Sequence, residues 1–201
     1  MKFAGQQTIN LICDFINRVL INLEYYSLPE FKLSIATVIY KGKDKPKNNH
    51  KSYRLVRVGP LLGRIIDEYI RPLALRLSDS NHSKNQYGFT QNVNYLLGAL
   101  QRHETQKFCV DNKLTFFGCS LDGDSAFEVV DRQIQLRELY LAGETDQFSR
   151  YNISSYENTQ TRIKMNHKIS LPLSETLGVG QGKIRSSDHY KVYITPILNT
   201  L

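Results

Sequence analysis

Two carboxylates, one residue apart, follow an apolar segment near the middle of the chain. Residues 116–121 are rich in strand formers, and Asp122 and Asp124 come directly after them. A buried strand that ends in an aspartate fixes a carboxylate at the edge of a cleft, where it can hold a hard divalent cation. The pattern makes Asp122 a candidate metal ligand, although the run Asp-Gly-Asp-Ser is equally typical of a tight turn.

Other segments carry residue types suited to contact with phosphates or nucleotides. Upstream, Lys41 and Lys43 precede a Tyr-Arg pair that ends at Arg54. The sequence Gln-Tyr-Gly-Phe occupies 86–89, and Gly-x-x-Gln-Gly occupies 178–182. Together with Leu-Asp-x-x-x-Ala-Phe at the central segment, this ordered series resembles the reverse transcriptases of non-LTR retrotransposons of the LINE and jockey kind. The resemblance runs from about residue 28 to the C-terminus.

The resemblance implies an RNA-directed DNA polymerase that uses two metal ions, Mg²⁺ or Mn²⁺, to stabilise the attacking and leaving oxygens. In such an enzyme Asp122 would be the first metal-binding carboxylate and a catalytic residue, and the carbonyl of Gly123 would be a second oxygen ligand. Phe127 takes the place of the family's sugar gate, whose ring would clash with a 2′-hydroxyl and favour deoxynucleotides. The backbone amides of Ser125 and Ala126 would border the triphosphate.

The resemblance also assigns the basic and glycine-rich segments. Arg54, with either Lys41 or Lys43, would meet the phosphates of the incoming nucleotide, and Gln181 would hydrogen-bond there. The residues expected near template and primer are Gln86, Tyr87, Gly88, Phe89, Gly178, Gly180 and Gly182. The implied partners are an RNA template, a DNA primer and deoxynucleoside triphosphates.

The chain departs from that family in several places. Leu55 stands where many members have proline, and Ser187 follows Ser186 where most have a Ser-Pro pair. The family's aromatic-x-Asp-Asp hairpin, which supplies the remaining metal carboxylates, has no counterpart within these 201 residues. Because one carboxylate cannot assemble a two-metal site, we expect no appreciable polymerase activity from this chain alone.

The formal net charge is +7, and the charges are distributed unevenly. Residues 1–40 carry three basic and three acidic side chains, residues 41–86 carry eleven and four, and residues 87–201 carry twelve of each. A cationic excess confined to one segment is typical of a surface that binds a polyanion such as nucleic acid. A solvated basic loop or a nuclear-localisation signal at 41–51 would have the same composition.

Hydrophobic periodicity and turn residues indicate a mixed α+β fold, which the resemblance refines to the fingers and a partial palm of a right-hand polymerase. The expected organisation is an N-terminal helix in residues 1–27, a fingers-like region in 28–115 and a partial palm in 116–201. Strands are expected at 34–40 and 53–58, with a later hairpin that turns at Asn166-His167. Helices are expected at 6–26, 61–77 with a kink or break at Pro72, 92–108 and 128–142, and the apolar segment 187–198 is expected to be helical until Pro196.

Two functions of other classes fit parts of the pattern. A non-catalytic nucleic-acid-binding remnant of a retroelement would keep the basic segment and would not need the missing aspartates. A phosphatase of the haloacid dehalogenase kind would use Asp122, Asp124 and Ser125 as its nucleophile loop. The phosphatase hypothesis leaves the Tyr-Arg and Gly-x-x-Gln-Gly motifs unexplained.

The composition favours a soluble intracellular protein, nuclear or cytoplasmic. No apolar run is long enough to span a bilayer, and no signal peptide precedes the first helix. Cys13, Cys109 and Cys119 lack the spacing of metal ligands. We therefore expect them to be buried thiols in a reducing compartment.

Overall fold

The computed structural model describes residues 5–21, 29–42, 44–78, 83, 86–90, 92–119, 125–180 and 182–200, and they form an α+β fold. The helices are α1 Gln6–Ile21, α2 Pro29–Lys32, α3 Leu61–Ser78, α4 Tyr95–Asp111, α5 Arg132–Leu141, α6 Asp146–Tyr156 and α7 Ser186–Thr200. The strands are β1 Leu33–Tyr40, β2 Tyr53–Val58, β3 Gln160–Met165, β4 Lys168–Ile169 and β5 Leu173–Ser174. Within these ranges, no helix combines the length and the apolar character needed to cross a membrane.

One mixed sheet joins residues 33–58 to residues 160–174. Its order is β2-β1-β3-β4, with β5 also paired to β3; β1 is antiparallel to β2 and parallel to β3. The strands predicted at 34–40 and 53–58 are confirmed. The predicted hairpin is confirmed as well, because Asn166 and His167 both have positive φ and join β3 to β4 as a tight two-residue turn.

The two faces of the sheet differ in burial and charge. Ser34, Ala36 and Thr161 are buried on one face. Successive side chains of a strand alternate between faces, so the paired residues Ile35 and Arg162, Thr37 and Lys164, and Ile39 and Arg54 belong to the other face. Val56, which pairs with Thr37, belongs to this face as well and is half-buried. We call the exposed residues of this second face, which are Ile35, Thr37, Ile39, Arg54, Val58, Arg162 and Lys164, the outer sheet face. Its residues are exposed, and none of these seven is acidic.

The helical core lies where α1, α3 and α6 meet. Ile16, Ile66, Ile70 and Tyr151 form its buried cluster. A smaller cluster of Leu139, Ala142 and Val192 joins α5 to α7.

The buried stripe of α3 differs from the predicted one. The residues expected to face the core are Leu62, Ile65, Ile66, Tyr69 and Leu73. Ile66 is buried as predicted and Ile65 is partly buried against the core, but Leu62, Tyr69 and Leu73 are exposed, and Ile70 and Ala74 are buried instead. Apolar residues at 62, 65, 66, 69, 70 and 73 span more than one face of a helix, so packing against α1 and α6 selects the stripe. The helix also continues through Pro72, where the sequence predicts a kink or break.

The expected buried strand at the centre of the chain is wrong for its described part. Residues 114–119 have no regular structure, and the side chain of Phe117 is 89% exposed. A strand needs ladder hydrogen bonds from a neighbour, and no strand of the described chain pairs with these residues. Residues 120–124 lie outside the described ranges. The expected burial of the thiols is also wrong for Cys13 and Cys119, which are exposed.

Side-chain caps set the start of two helices later than predicted. The Asn94 side chain accepts a hydrogen bond from the amide of Leu96, so α4 begins at Tyr95. Asp131 accepts from the amides of the next turn, so α5 begins at Arg132 instead of Glu128. The apolar spacing in this helix predicts that Leu96, Leu97 and Leu100 pack against a core, but all three are exposed.

Candidate functional site

Backbone hydrogen bonds join the segment after the central aspartates to the Gly-x-x-Gln-Gly segment. The amide of Gly178 donates to the carbonyl of Val130 at 2.8 Å, and the amide of Val179 donates to the carbonyl of Phe127 at 2.8 Å. Gly178 has φ +81°, and a Cβ atom there would lie 2.7 Å from the carbonyl oxygen of Glu128. Glycine is therefore required at 178 both for its conformation and for the close approach of the two chain segments.

The other end of the same loop lies against the sheet. Gly182 has φ +102°, and a Cβ atom there would lie 2.7 Å from the carbonyl oxygen of Arg57 on β2. Between these two contacts, a Cβ on Gly180 would lie 3.0 Å from the aliphatic stem of Lys183. The glycine-rich loop thus connects the Phe127 segment to β2, the strand that carries Arg54.

Phe127 is the centre of an aromatic cluster. Its ring centroid lies 4.9 Å from that of Tyr190 on α7 and 6.1 Å from that of Phe89, which it meets edge-on at 82°. Tyr190 in turn contacts Tyr193, with 6.5 Å between the centroids. Phe127 is half-buried and Phe89 is exposed, so the cluster presents an aromatic surface. Two segments singled out from the sequence, at 86–89 and at 127, therefore meet.

The rest of the Gln-Tyr-Gly-Phe segment forms a compact turn. The Gln86 side-chain amide donates to the carbonyl of Gly88 at 3.0 Å, and the Thr90 hydroxyl donates to the carbonyl of Gln86 at 2.9 Å. Tyr87 packs its ring on Gly98 of α4. Tyr87 therefore attaches the turn to α4, and Phe89 carries the turn's contact with the aromatic cluster.

Two of the residues predicted to contact the nucleotide, Lys41 and Arg54, do not contact Phe127 or Gly178 in the described structure. Lys41 donates to the carbonyl of Lys51 at 2.8 Å, within its own exposed loop, and Arg54 is exposed on β2. Across the described residues, no hydrogen bond, ion pair or ring contact joins either side chain to Phe127 or Gly178.

Ser125, the described residue of the Asp-Gly-Asp-Ser run, begins a turn formed by residues 125–128. Ser125 has φ +55°, and its carbonyl accepts hydrogen bonds from the amides of Glu128 and Val129 at 2.9 and 3.2 Å. Ser125 is exposed, and Ala126 is half-buried beside it. The predicted contacts Lys43, Asp122, Gly123 and Gln181 lie outside the described residues. Inside those ranges, no group of three or more His, Cys, Asp or Glu side chains could hold a metal ion.

Arg132, which none of the sequence motifs includes, forms hydrogen bonds to several chain segments of this site. Its Nε donates to the carbonyl of Gly178 at 3.0 Å, and the rest of its guanidinium donates to the carbonyl of Tyr156, to the Thr159 hydroxyl and to both the carbonyl and the carboxylate of Glu175 at 2.8–3.0 Å. Both side chains of the ion pair between Arg132 and Glu175 are buried. An arginine with its donors in a fixed fork can hold several chain segments at once.

Glu175 connects Arg132 to the sheet. Its carboxylate lies 3.0 Å from Arg57 of β2 and accepts a hydrogen bond from the Thr161 hydroxyl of β3. Burial raises the pKa of Glu175, but the Thr161 hydrogen bond and the charges of Arg57, Lys183 and Arg132 outweigh it and hold the pKa below its ordinary value.

A second buried ion pair supports the first turn of α7. Arg185 donates to Glu144 at 2.6 Å and to Asn152 at 2.8 Å, and Asn152 donates to the same carboxylate oxygen of Glu144 at 2.7 Å. The sequence does not predict that charged residues in 183–189 are buried, because polar and apolar residues are mixed there without a clear pattern. The glycine-rich loop before them is the one sequence signal that could have indicated it, because close backbone approach buries the residues that follow.

Asp67 lies on α3, and none of the sequence motifs includes this helix. The spacing of the apolar residues predicts that Asp67 lies on the face of α3 that points away from the core. The structure places it beside Tyr151, whose hydroxyl donates to its Oδ1 at 2.6 Å. Burial raises the pKa of Asp67, and the Tyr151 hydrogen bond and the charges of Arg185 and Lys183 oppose that rise.

His189 makes the stability of this region sensitive to acid. Its ring is buried with Nδ1 2.7 Å from the Tyr156 hydroxyl, and burial, with the charges of Arg185 and Lys183, lowers its pKa well below 6.5. Because the folded state binds this proton less readily than the unfolded state, stability is full above about pH 6.5 and falls as the pH drops below it, by up to about 1.4 kcal/mol per pH unit. Unfolding in urea between pH 5 and 8 measures this slope.

The matched variants for this prediction are His189→Asn and His103→Asn, the second being an exposed histidine on α4. The His189 variant should flatten the loss of stability between pH 6.5 and pH 5, and the His103 variant should keep it. A slope that is the same in the wild type and in His189→Asn would contradict the assignment.

No protein-family model matches the chain. No curated protein is significantly similar to it.

Proposed function

We propose that the chain is the fingers and part of the palm of an RNA-directed DNA polymerase of the non-LTR retrotransposon kind, and that by itself it binds nucleic acid. The observation that supports this proposal best is the direct contact between the segments at 127–130 and 178–179, which share two backbone hydrogen bonds of 2.8 Å. Phe127 is the last residue of the Leu-Asp-x-x-x-Ala-Phe motif, and Gly178 is the first residue of the Gly-x-x-Gln-Gly motif. A polymerase of this kind needs both beside the incoming nucleotide.

The aromatic cluster supports the same proposal. Phe127 is half-buried between Phe89 and Tyr190, so its ring is held in place while part of it remains accessible. A ring held in this way can exclude a 2′-hydroxyl by contact alone. The residues before it, which carry Asp122, would then hold one metal ion for the phosphates.

The outer sheet face supports the nucleic-acid part of the proposal. Arg54, Arg162 and Lys164 come from different parts of the sequence, and the strand register puts them on one exposed face. The loop at 41–51 follows β1 at the end of this sheet, and its described residues are mostly exposed. Cations without an acidic neighbour on their face attract the phosphate backbone and release its counterions on binding.

The expected result is that the chain binds an RNA–DNA primer-template with an affinity that falls steeply as salt rises. Replacing Lys41, Lys43, Lys45 and Lys47 with glutamine should reduce the slope of log affinity against log salt by about 0.9 for each duplex phosphate that these side chains neutralise. Fluorescence anisotropy of a labelled primer-template across a salt series measures this slope.

Arg162→Gln with Lys164→Gln should reduce the same slope, because these side chains share the outer sheet face with Arg54. The control is Lys107→Gln with Lys113→Gln, which removes the same charge from exposed positions on and after α4. Absence of binding at low salt, or a slope that responds equally to all three sets of substitutions, would contradict the proposal.

A further inference from the structure

A small cavity lies between the start of α3, the end of α6 and the segment from Gly180 to His189. Its volume is about 60 Å³, and its wall includes Arg64, Asp67, Tyr151, Tyr156, Lys183 and His189. A water molecule needs about 10–15 Å³ of such volume, so the space holds several waters or one small molecule. The cavity is separate from the aromatic cluster around Phe127, since the described wall includes none of that cluster's rings.

Lys183 brings an unpaired cation to this wall. Among the described residues, its ammonium has no hydrogen bond and no ion pair within 4.0 Å. Its stem lies across Gly180, where a Cβ atom would come within 3.0 Å of three of its carbons, so glycine leaves room for the stem to run along the cavity. Burial lowers the pKa of Lys183, and the nearby charges of Glu175 and Asp67 only partly restore it. An ammonium in this position is costly unless an anion joins it.

His189 brings an unpaired ring nitrogen to the same wall. It is 6% exposed, and its Nε2 has no hydrogen-bond partner within the described chain. The Tyr156 hydroxyl lies 2.7 Å from Nδ1 and has no other acceptor among the described residues, so it donates to Nδ1. Nδ1 is then the acceptor, and the ring proton is on Nε2. The ring therefore offers a buried donor that no described residue uses.

We propose that this cavity binds a small tetrahedral oxyanion of the phosphate class, held by the Lys183 ammonium and the Nε2–H of His189. The volume of the cavity suits a single phosphate group and is too small to enclose a nucleoside. The exposed guanidinium of Arg64 adds positive charge to the wall. Asp67 is the acidic residue of the described wall, and it is already engaged by the Tyr151 hydroxyl.

The anion is either free phosphate or the phosphate group of a nucleotide. Because these ligands differ in size, comparing their affinities distinguishes the two sources. The wild-type chain should be titrated with inorganic phosphate and with deoxyadenosine monophosphate at constant ionic strength held by chloride, by calorimetry and by thermal unfolding. Inorganic phosphate should bind saturably and raise Tm, and the monophosphate should bind no more tightly.

The decisive variant is Lys183→Met, which keeps most of the volume and removes the charge. Its Kd for phosphate should rise by about ten-fold or more, and Lys183→Arg should restore much of the binding. Lys168→Met, at an exposed position on β4, should bind phosphate like the wild type. If Lys183→Met fails to fold, Lys183→Gln and the phosphorus NMR signal of phosphate with the wild-type chain test the same point.

If chloride stabilises the chain as much as phosphate does, the effect is one of unspecific charge and the proposed site is wrong. The same conclusion follows if the wild type and Lys183→Met have the same Kd for phosphate. Binding of the monophosphate without binding of phosphate also overturns it. The proposal is independent of nucleic-acid binding, because the residues changed in the salt series lie on the sheet and its loop. Either proposal can therefore fail while the other stands.

Discussion

Gly178→Ala should lower the free energy of unfolding by about 3–5 kcal/mol, because it adds backbone strain to a steric clash. At φ +81° an alanine is strained, and its Cβ would lie 2.7 Å from the carbonyl oxygen of Glu128 and 3.0 Å from that of Phe127. Relief requires the two segments to move apart, which breaks the hydrogen bonds to Val130 and Phe127. Urea unfolding of the purified variant measures the change.

Gly42→Ala is the matched control for this prediction. Gly42 has a similar φ of +70°, but a Cβ atom there would have nothing within 4 Å. It should therefore show only the conformational cost, about 1–2 kcal/mol. The difference between the two variants isolates the close approach at Gly178. Equal decreases in stability in both would show that the 127–130 and 178–179 segments are not packed as described.

Arg132→Met should cost about 3–5 kcal/mol of stability, because removing one partner of a buried ion pair leaves the other partner and several acceptors unsatisfied. The carbonyls of Gly178, Tyr156 and Glu175 and the hydroxyl of Thr159 would lose a donor. Arg57 would remain beside the Glu175 carboxylate at 3.0 Å, which limits the destabilisation. Methionine keeps much of the side-chain length, so the missing hydrogen bonds dominate the effect.

The control for Arg132 lies on the same helix. Arg137 of α5 is exposed, and Arg137→Met removes the same charge without a buried partner. Its effect on stability should stay within about 0.5 kcal/mol, as for other surface substitutions. If thermal and urea unfolding give similar values for the two variants, Arg132 does not hold the site together.

Local patterns in the sequence predict the elements that depend on few distant contacts. β1 and β2 have alternating β-branched residues and a polar turn, and the hairpin at Asn166-His167 has turn residues that tolerate positive φ, so both are predicted correctly. The start of α5 is predicted too early because the apolar residues before Asp131 also fit a helical pattern. The Asp131 side chain caps the helix and sets its start. The strand expected at 116–121 does not form in its described residues, because no strand of the described chain pairs with them. Strand pairing depends on the tertiary fold, so a local sequence pattern cannot predict it.

The candidate site is only half predictable for the same reason. Gly178, Phe127 and Phe89 are singled out by the order of the motifs, and the structure brings them together. Arg132 and Lys183 are missed, because a charged residue is expected at the surface unless its partners are known. Those partners are distant in sequence, as Arg132 and Gly178 are 46 residues apart.

The most direct test of the proposed polymerase origin compares deoxyadenosine triphosphate with adenosine triphosphate in binding to this chain with Mg²⁺. If Phe127 stands over the sugar of an incoming nucleotide, the wild type should prefer the deoxynucleotide by about ten-fold, and Phe127→Val should bring the two affinities close together. Phe117→Val, at a side chain that is 89% exposed, should leave the preference unchanged. Equal binding of both nucleotides by the wild type, or a Phe127→Val variant that loses stability but keeps the same affinity ratio, would contradict the proposed origin.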